Sequence, residues 1–263
     1  MVQVCLNGSR SAADGVRVPM SPQDLARSAA EAVAAGATSV HVHPKTPCGH
    51  DSLSPRVLAP ALEAIRARVS VPVGVTTGAW AEPDPTARLA RVRSWSVLPD
   101  FASVNWHEPG AEAVAEHLLG RGVGVEAGVW SGTDGAARFA ASPFGPRVLR
   151  VLAEVTDPDP ATAEASARAL LAELMPRQVT SEAAGESAGR RDGANVGCHG
   201  RPVLLHGEEG GTWPVLRLAG RLGLATRIGL EDTLFLPDGR RAAGNAQLVA
   251  AGLVQYGSFQ RSS

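Results

Sequence analysis

The sequence predicts an α/β fold, a closed (β/α)8 barrel of eight parallel strands with a helix after each strand. Short apolar, β-branched runs alternate with longer segments rich in Ala, Leu and Arg, and about eight such pairs follow one another. The 263 residues match the length of about 250 that is typical of this barrel. An open doubly wound sheet is the alternative, which is weakened because no G-x-G-x-x-G motif follows the first strand.

Each predicted element is an apolar run or an amphipathic segment with its own boundary signals. The strands are expected at residues 2–6, 38–44, 71–77, 101–105, 122–128, 147–155, 202–207 and 225–232. The helices are expected at 21–36, 55–69, 84–95, 110–120, 132–141, 159–175, 212–223 and 243–257. In the first helix, Ser21 is an N-cap, Pro22 takes the first helical position, Asp24 completes a pattern like a capping box and Gly36 ends the helix.

We expect one barrel domain over residues 1–263, with a long surface loop at 178–201. That loop segment is rich in Gly, Ala, Ser and charged residues and has no hydrophobic periodicity. With 44% hydrophobic and 19% charged residues the chain is typical of a globular protein. The repeat of strand and helix runs through the chain without a second domain or an internal linker, apart from this segment.

Charge and cysteine content exclude several partners and compartments. The formal net charge of -1 gives no electrostatic reason to expect a nucleic acid or a membrane surface as partner. Three scattered cysteines, Cys5, Cys48 and Cys198, do not form a disulfide framework and fit a reducing compartment. No stretch approaches the roughly 20 apolar residues of a membrane helix, and the first residues do not resemble a signal peptide. We therefore expect a cytoplasmic protein.

Polar side chains collect at the predicted carboxyl ends of the strands, which is where barrel enzymes place their active sites. The residues at these ends are Asn7, Ser9, Arg10, His41, His43, Lys45, Thr76, Thr77, Ser103, Asn105, His107, Glu126, Glu154, Asp157, His206, Glu208, Glu209, Arg227, Glu231 and Asp232. The pattern predicts an enzyme. The candidate substrate-binding residues are Asn7, Ser9, Thr77, Ser103, Asn105 and Glu126.

The stretch "SVHVHPKT" carries two histidines, His41 and His43, on the same face of the second strand. Their side chains are roughly 7 Å apart along the strand, so both can reach one zinc ion at about 2.0–2.1 Å. By itself, H-x-H is also typical of an ordinary polar strand end. Glu231 is the best third ligand, because strands 2 and 8 both flank strand 1 in a closed barrel. The alternative third ligands or general bases are Glu126, Glu154 and His206.

Several motifs recur in the order and spacing of a known family. These are "LNGSR" after strand 1, "HVHP" on strand 2, "TTG" on strand 3 and "RIGLED" on strand 8, supported by "GVEAGVW" and "LLHGEEGGTWPVL". The chain resembles the β-keto acid cleavage enzymes over nearly its whole length. The combination of H-x-H with R-x-G-L-E-D is specific, although neither motif is specific alone.

The resemblance implies a zinc-dependent TIM barrel that condenses a β-keto acid with acetyl-CoA. An enolate and a retro-Claisen step then give acetoacetate and a new acyl-CoA, which makes the enzyme an acyltransferase. The resemblance also implies a homo-oligomer. Carried over residue by residue, the resemblance implies His41, His43 and Glu231 as zinc ligands. It further implies that Arg227 and Asp232 form the catalytic pair and that Thr77 supplies a substrate-binding hydroxyl.

Two positions depart from the family pattern. Some members have an acidic residue on the loop after strand 1, where this chain has Ser9 or Arg10, and many have Asn where this chain has Thr233. A loop acid would suit a cationic substrate tail, so its absence bears on the substrate. Two other functions fit the same residues: a metal-dependent aldolase or hydrolase, and a binding barrel without catalysis.

Overall fold

Eight parallel strands form the sheet of the computed structural model, which describes residues 1–14, 18–175 and 196–257. The strands are β1 Val2–Cys5, β2 Ser39–Val42, β3 Val73–Thr76, β4 Phe101–Asn105, β5 Gly124–Trp130, β6 Arg150–Val155, β7 Val203–Gly207 and β8 Thr226–Ile228. Their order is β7-β6-β5-β4-β3-β2-β1-β8. A parallel bridge between Leu204 and Ala225 joins β7 to the beginning of β8. The predicted (β/α)8 TIM-barrel architecture is confirmed.

Eight α-helices in the described residues surround the sheet. They are α1 Pro22–Ala34, α2 Pro55–Arg66, α3 Pro85–Arg93, α4 Ala111–Gly120, α5 Gly135–Ala141, α6 Ala163–Leu174, α7 Thr212–Leu222 and α8 Asn245–Gly257. The predicted start of α1 is present, because the Ser21 hydroxyl accepts a hydrogen bond from the backbone N–H of Asp24 at 3.1 Å. Among the described residues, none of the helices has the length and apolar run that crossing a bilayer requires.

Three strands differ from their predicted limits in a way that matters for the site. β5 continues to Trp130 instead of ending at residue 128, so its polar residues lie deeper in the barrel. β6 begins at Arg150, three residues after the predicted start at Arg147, which is the last residue of a 3-10 turn, Gly145–Arg147. β8 stops at Ile228, and the backbone N–H groups of Asp232 and Thr233 donate to the carbonyl of Gly229 in a turn.

The predicted loop at 178–201 falls mainly outside the described residues, which exclude 176–195. The part that is described ends in a short 3-10 turn, Cys198–Gly200, just before β7. The core lies between the outer face of the sheet and the helices, where valines such as Val40, Val42 and Val75 are fully buried. Burial of these apolar faces stabilises the barrel and holds the carboxyl ends of the strands in place.

Candidate active site

His41, His43 and Glu231 converge at the carboxyl end of the barrel. Each offers one ligand atom, and the three atoms lie within 4.8 Å of one another. Nε2 of His41 lies 3.9 Å from Oε2 of Glu231, and Nε2 of His43 lies 3.5 Å from Oε1. Both imidazoles are buried and meet edge to face at a centroid distance of 5.2 Å. Both histidines therefore direct their Nε2 atoms towards the carboxylate of Glu231.

The turn after β8 places Glu231 beside His41 and His43. On a regular strand, neighbouring residues point to opposite faces, yet Glu231 and Asp232 both reach the guanidinium of Arg227. They do so because the chain leaves the strand at Ile228 and folds into the turn at Gly229. A side chain on Gly229 would overlap the backbone of Cys5, so only glycine lets β8 end this close to β1.

Asn7 fixes the backbone of the second histidine. Its side-chain Nδ2 donates to the carbonyl of His43 at 2.8 Å, and its Oδ1 accepts the backbone N–H of His43 at 3.0 Å. Asn7 is fully buried and also donates to the carbonyl of Pro19 at 3.2 Å. Its amide is thus saturated by backbone, which makes Asn7 a residue that positions His43.

Asp51 and Lys45 lie behind His43. Nδ1 of His43 lies 3.5 Å from Oδ1 of Asp51, and Nζ of Lys45 lies 2.7 Å from the same oxygen. Lys45 is buried, and its ammonium also donates to the carbonyl of Gly8 at 2.6 Å. A carboxylate on the far nitrogen of a metal-binding histidine fixes the ring orientation and raises its basicity. Asp51 was not among the residues predicted from the sequence.

Electrostatics prepare these groups to bind a cation. Burial lowers the pKa of His41 to about 4, so its ring is neutral at pH 7. Burial also lowers the pKa of His43, but Glu231 and Asp51 outweigh that effect and raise it to about 9. Burial raises the pKa of Glu231, yet Arg227 and the two histidines together hold it well below its usual range. At pH 7 Glu231 is therefore an anion that faces a neutral His41 and a protonated His43, and His43 must release its proton before it can ligate a metal ion.

The donor set fits a divalent metal ion. Ligand atoms about 2.1 Å from a tetrahedral ion are roughly 3.4 Å apart, close to the two separations measured between His43 or His41 and Glu231. Oε2 of Glu231 is buried and has no hydrogen-bond partner, which is costly for a carboxylate unless a cation or donor meets it. Two imidazoles and a carboxylate suit zinc and leave an open position for a substrate.

Arg227 and Asp232 lie directly beside this group. Nε of Arg227 donates to Oδ1 of Asp232 at 3.2 Å, and the same guanidinium donates to Oε1 of Glu231 at 2.9 Å. Both Arg227 and Asp232 are buried, and Oδ2 of Asp232 has no hydrogen-bond partner. The guanidinium of Arg227 therefore binds the carboxylates of both Glu231 and Asp232. Oδ2 of Asp232 stays available to accept a proton.

Glu154 and His206 form a second layer on the far side of Asp232. Nδ1 of His206 lies 3.3 Å from Oδ1 of Asp232, and its Nε2 lies 3.5 Å from Oε2 of Glu154. Burial and Arg227 lower the pKa of His206, but the two carboxylates raise it to about 9. Both residues were alternative metal ligands in the sequence. The structure instead pairs them with each other and with Asp232, away from His41 and His43.

The remaining predicted substrate residues occupy different depths. Thr77 is buried at the end of β3, where its hydroxyl donates to the carbonyl of Ser103 at 2.7 Å. Ser103 is buried on β4. At the end of the same strand, Nδ2 of Asn105 donates to Oε1 of Glu108 at 2.8 Å. Ser9 is exposed on the loop after β1. Thr77, Ser103 and Asn105 thus lie at the ends of neighbouring strands, whereas Ser9 points to solvent.

The structure does not bring Glu126 to the rim. It lies inside the barrel, where its Oε1 accepts hydrogen bonds from Nε2 of Gln3 at 3.0 Å and from Nε of Arg150 at 2.6 Å. Gln3 and Glu126 come from β1 and β5, so this contact crosses the barrel interior. The reason is the longer β5, which reaches Trp130 and leaves Glu126 four residues before its end. Glu126 is part of a buried polar layer, in which its Oε1 is paired and its Oε2 has no hydrogen-bond partner.

Aromatic side chains line one side of the opening. Trp80 lies over His43 with a centroid distance of 5.7 Å and an interplanar angle of 9°. Trp130, at the end of β5, lies 6.3 Å from Trp80 and 4.7 Å from His107. Neither Trp80 nor Trp130 was among the residues predicted from the sequence. The signal available was their place in the loop after β3 and at the end of β5.

The fold and the site define a class: a (β/α)8 barrel with a potential metal-binding group and an Arg–Asp pair at the carboxyl ends of its strands. The model of the beta-keto acid cleavage enzyme family matches residues 1–139 and 199–261. The chain belongs to this family, whose name denotes cleavage of a carbon–carbon bond. No curated protein matches the chain significantly.

Solved structures share the barrel at low sequence identity. A ternary complex of ObcA with a C4-CoA adduct and oxalate superposes with a TM-score of 0.62 at 17% identity, covering 93% of this chain and 64% of that one. The chain therefore spans less than two thirds of the length of ObcA. A type I 3-dehydroquinate dehydratase from Clostridium difficile gives a TM-score of 0.58 at 12% identity, with 98% and 92% covered. At these identities the likeness shows the fold alone.

Proposed function

We propose that this protein is a zinc-dependent β-keto acid cleavage enzyme that uses acetyl-CoA as the acyl donor. The observation that carries the proposal is the convergence of His41, His43 and Glu231 next to the Arg227–Asp232 pair. Membership of the family supports the β-keto acid as substrate class. The CoA adduct bound to ObcA, which shares the fold, supports a CoA thioester as the second substrate.

His41, His43 and Glu231 would hold the metal ion, which we propose to be zinc. When bound, it supplies Lewis-acid polarisation of the keto carbonyl and the carboxylate of the substrate. Glu231 is committed to this role by its contacts with both histidines. A carboxylate that ligates a metal is a poor proton acceptor, so the base must be another residue.

Asp232 is the proposed base. Its unpartnered Oδ2 takes the proton from the carbon between the two carbonyl groups of the β-keto acid. Arg227 holds Oδ1 of Asp232 and so orients this carboxylate towards the reacting carbon. His206 contacts Oδ1 from another side and limits the rotation of the same carboxylate.

The bonds then change in two steps. The carbanion carbon attacks the thioester carbonyl of acetyl-CoA, a carbon–carbon bond forms and the CoA thiolate leaves. The thiolate attacks the original keto carbonyl, and the bond between that carbon and the former carbanion carbon breaks. Asp232 returns its proton to the released carbon, which gives acetoacetate and a new acyl-CoA. Thr77, Ser103 and Asn105 are proposed to contact the substrate from β3 and β4.

Two further properties belong to the same proposal. The family resemblance supports a homo-oligomer, and the free cysteines Cys5, Cys48 and Cys198 support a reducing compartment such as the cytoplasm. We likewise propose that residues 1–263 form a single barrel domain.

The test is a panel of β-keto acids incubated with acetyl-CoA and the zinc-loaded protein, read by the acyl-CoA formed. We expect acetoacetate and one new acyl-CoA in equal amounts. Turnover that needs no CoA, or release of free CoA without a new acyl-CoA, would favour an aldolase or hydrolase instead. Bound zinc with no turnover of any acid would favour a binding barrel.

A further inference from the structure

Four rings form a continuous aromatic stack beside the metal-binding group. We use this name for His43, Trp80, Trp130 and His107. Successive centroids are 5.7, 6.3 and 4.7 Å apart; the first two pairs are stacked, and Trp130 and His107 are tilted at 52° to each other. The stack begins at a proposed metal ligand and extends across the ends of β3, β5 and β4. Any substrate whose carbonyl binds at His41, His43 and Glu231 therefore lies within reach of it.

The indole ring of Trp80 packs against the backbone of the loop after β3. Its indole ring lies against Gly78, where a Cβ atom would overlap the ring. The N–H of Gly78 is held by the hydroxyl of Thr76 at 3.0 Å, so this backbone is fixed. Although it packs against Gly78, Trp80 is 43% exposed. A large apolar surface held open to solvent beside a reaction centre is typical of a ligand contact.

Charged groups next to the stack are already paired. Asp51 forms an ion pair with Lys45 at 2.7 Å. Glu108 lies 3.6 Å from Arg88 and accepts the backbone N–H of Ala79 at 3.1 Å. These carboxylates thus have partners within the fold, and they leave little to attract a charged substrate tail to the stack.

The guanidinium of Arg138 also has partners within the fold, because it donates to the backbone carbonyls of His107 and Glu108 at 2.6 and 3.3 Å. A cationic tail at the stack would also be repelled by a divalent ion at His43. An anionic tail would find Lys45 and Arg88 already paired with Asp51 and Glu108. An uncharged side chain needs no such partner, and it covers the exposed indole of Trp80.

We propose that the aromatic stack is the side-chain subsite of the enzyme and that Trp80 and Trp130 select β-keto acids with an uncharged apolar or aromatic side chain. This inference rests on the proposed function, since it assumes that a β-keto acid binds at the metal. Burial of about 60–80 Å² of phenyl surface at about 25 cal/mol per Å² corresponds to roughly ten- to thirtyfold in affinity.

The test measures binding without turnover. Zinc-loaded protein is titrated with 3-oxo-5-phenylpentanoate and with acetoacetate, in the absence of acetyl-CoA, by calorimetry and by tryptophan fluorescence. We expect the phenyl acid to bind at least tenfold more tightly. Trp80→Ala and Trp130→Ala should reduce this ratio to below about threefold, and Trp80→Phe should restore most of it. Trp130 does not stack on His43, so its variant separates selectivity from any effect on the metal.

Leu149→Ala is the matched control, because Leu149 is 41% exposed at the amino end of the barrel, before β6. It should leave the ratio unchanged. A wild-type ratio near one, or ratios unchanged in both tryptophan variants, would overturn the subsite. Preferential binding without acyl-CoA formation would support the subsite and overturn the proposed function. If the zinc-loaded protein binds neither acid, both are overturned.

Discussion

Nε2 of His43 lies 3.5 Å from Oε1 of Glu231, which joins the end of β2 to the turn after β8. β1 pairs with both of these strands, through Gln3–Ser39 and through Gln3–Arg227. The contact therefore spans only one intervening strand. It follows that the two histidines and the glutamate form a preorganised group, whose geometry is set by strand pairing.

Glu231 and Asp232 should separate metal binding from catalysis. Glu231→Gln removes the anion that faces both imidazoles, so we expect zinc affinity to fall at least tenfold. Asp232→Asn leaves those three groups intact, and the protein should keep about one zinc per chain while turnover falls by about 10²–10⁴. Metal analysis after dialysis and acyl-CoA formation give the two readouts. Equal loss of metal from both variants would contradict this division of roles.

Asp51 should tune the metal site through His43. Asp51→Asn removes the carboxylate 3.5 Å from Nδ1 of His43, and loss of such a partner lowers metal affinity by about 10–100-fold. The measurement is competition with a chromophoric chelator. Asp238→Asn is the control, since Asp238 is exposed and pairs with Arg240 at the surface. Equal zinc affinity in both variants would show that Asp51 does not act on the ligand.

His206 should make stability depend on pH. Its pKa is about 9 in the fold and about 6.5 when unfolded. The charged form is thus favoured by folding, so its contribution is fully present below pH 6.5 and is lost as pH rises through 9. His206→Gln leaves two buried carboxylates without this cation, and we expect a loss on the order of 3 kcal/mol at pH 6.5.

Denaturant unfolding from pH 6 to 10 checks this prediction. The free energy of unfolding of the wild type should fall across the interval from 6.5 to 9, and that of His206→Gln should fall less steeply. The two curves should therefore approach each other at high pH. Parallel curves would mean that His206 does not titrate between Glu154 and Asp232.

Gly229 should be essential to the position of Glu231. Gly229→Ala places a methyl group into the backbone of Cys5, and backbone cannot move aside as a side chain can. We expect a loss of about 2–3 kcal/mol in the free energy of unfolding, together with weaker zinc binding. Gly244→Ala is the control, because a Cβ atom there meets nothing within 4 Å. Equal melting temperatures for the two variants would contradict the close-packing argument.

The convergence of His41, His43 and Glu231 could be predicted from the sequence because it depends on only two features, the alternation of side chains along a strand and the order of the strands. Alternation along a strand puts the two histidines on one face, and the strand order of a barrel puts β8 and β2 on either side of β1. The adjacency of Arg227 and Asp232 came from the family resemblance. The turn that lets both Glu231 and Asp232 face inward was outside the reach of strand periodicity.

Glu126 lies deeper in the barrel than its place near the predicted end of β5 indicated. Its depth depends on where β5 ends, and "GVEAGVW" gives no breaker between Gly128 and Trp130. Two residues at the end of a strand are enough to move a side chain from the rim into the interior, since each pair of residues rises about 6.6 Å. Strand ends are set by tertiary packing, which the local sequence does not report.

Asp51 and Trp80 were missed for a related reason. Asp51 reaches His43 because the chain after β2 folds back, with a bridge between Lys45 and Asp51. Trp80 reaches His43 because its ring lies on Gly78. Both contacts are made by loops, whose paths follow from long-range packing. Composition and spacing carry no information about them.

The most direct test of the central claim is acyl-CoA formation from a β-keto acid and acetyl-CoA by protein stripped of metal and then titrated with zinc. We expect no product from the stripped protein and full recovery of activity at about one zinc per chain, with no recovery in His41→Ala. Product formation at the same rate with and without metal would contradict it.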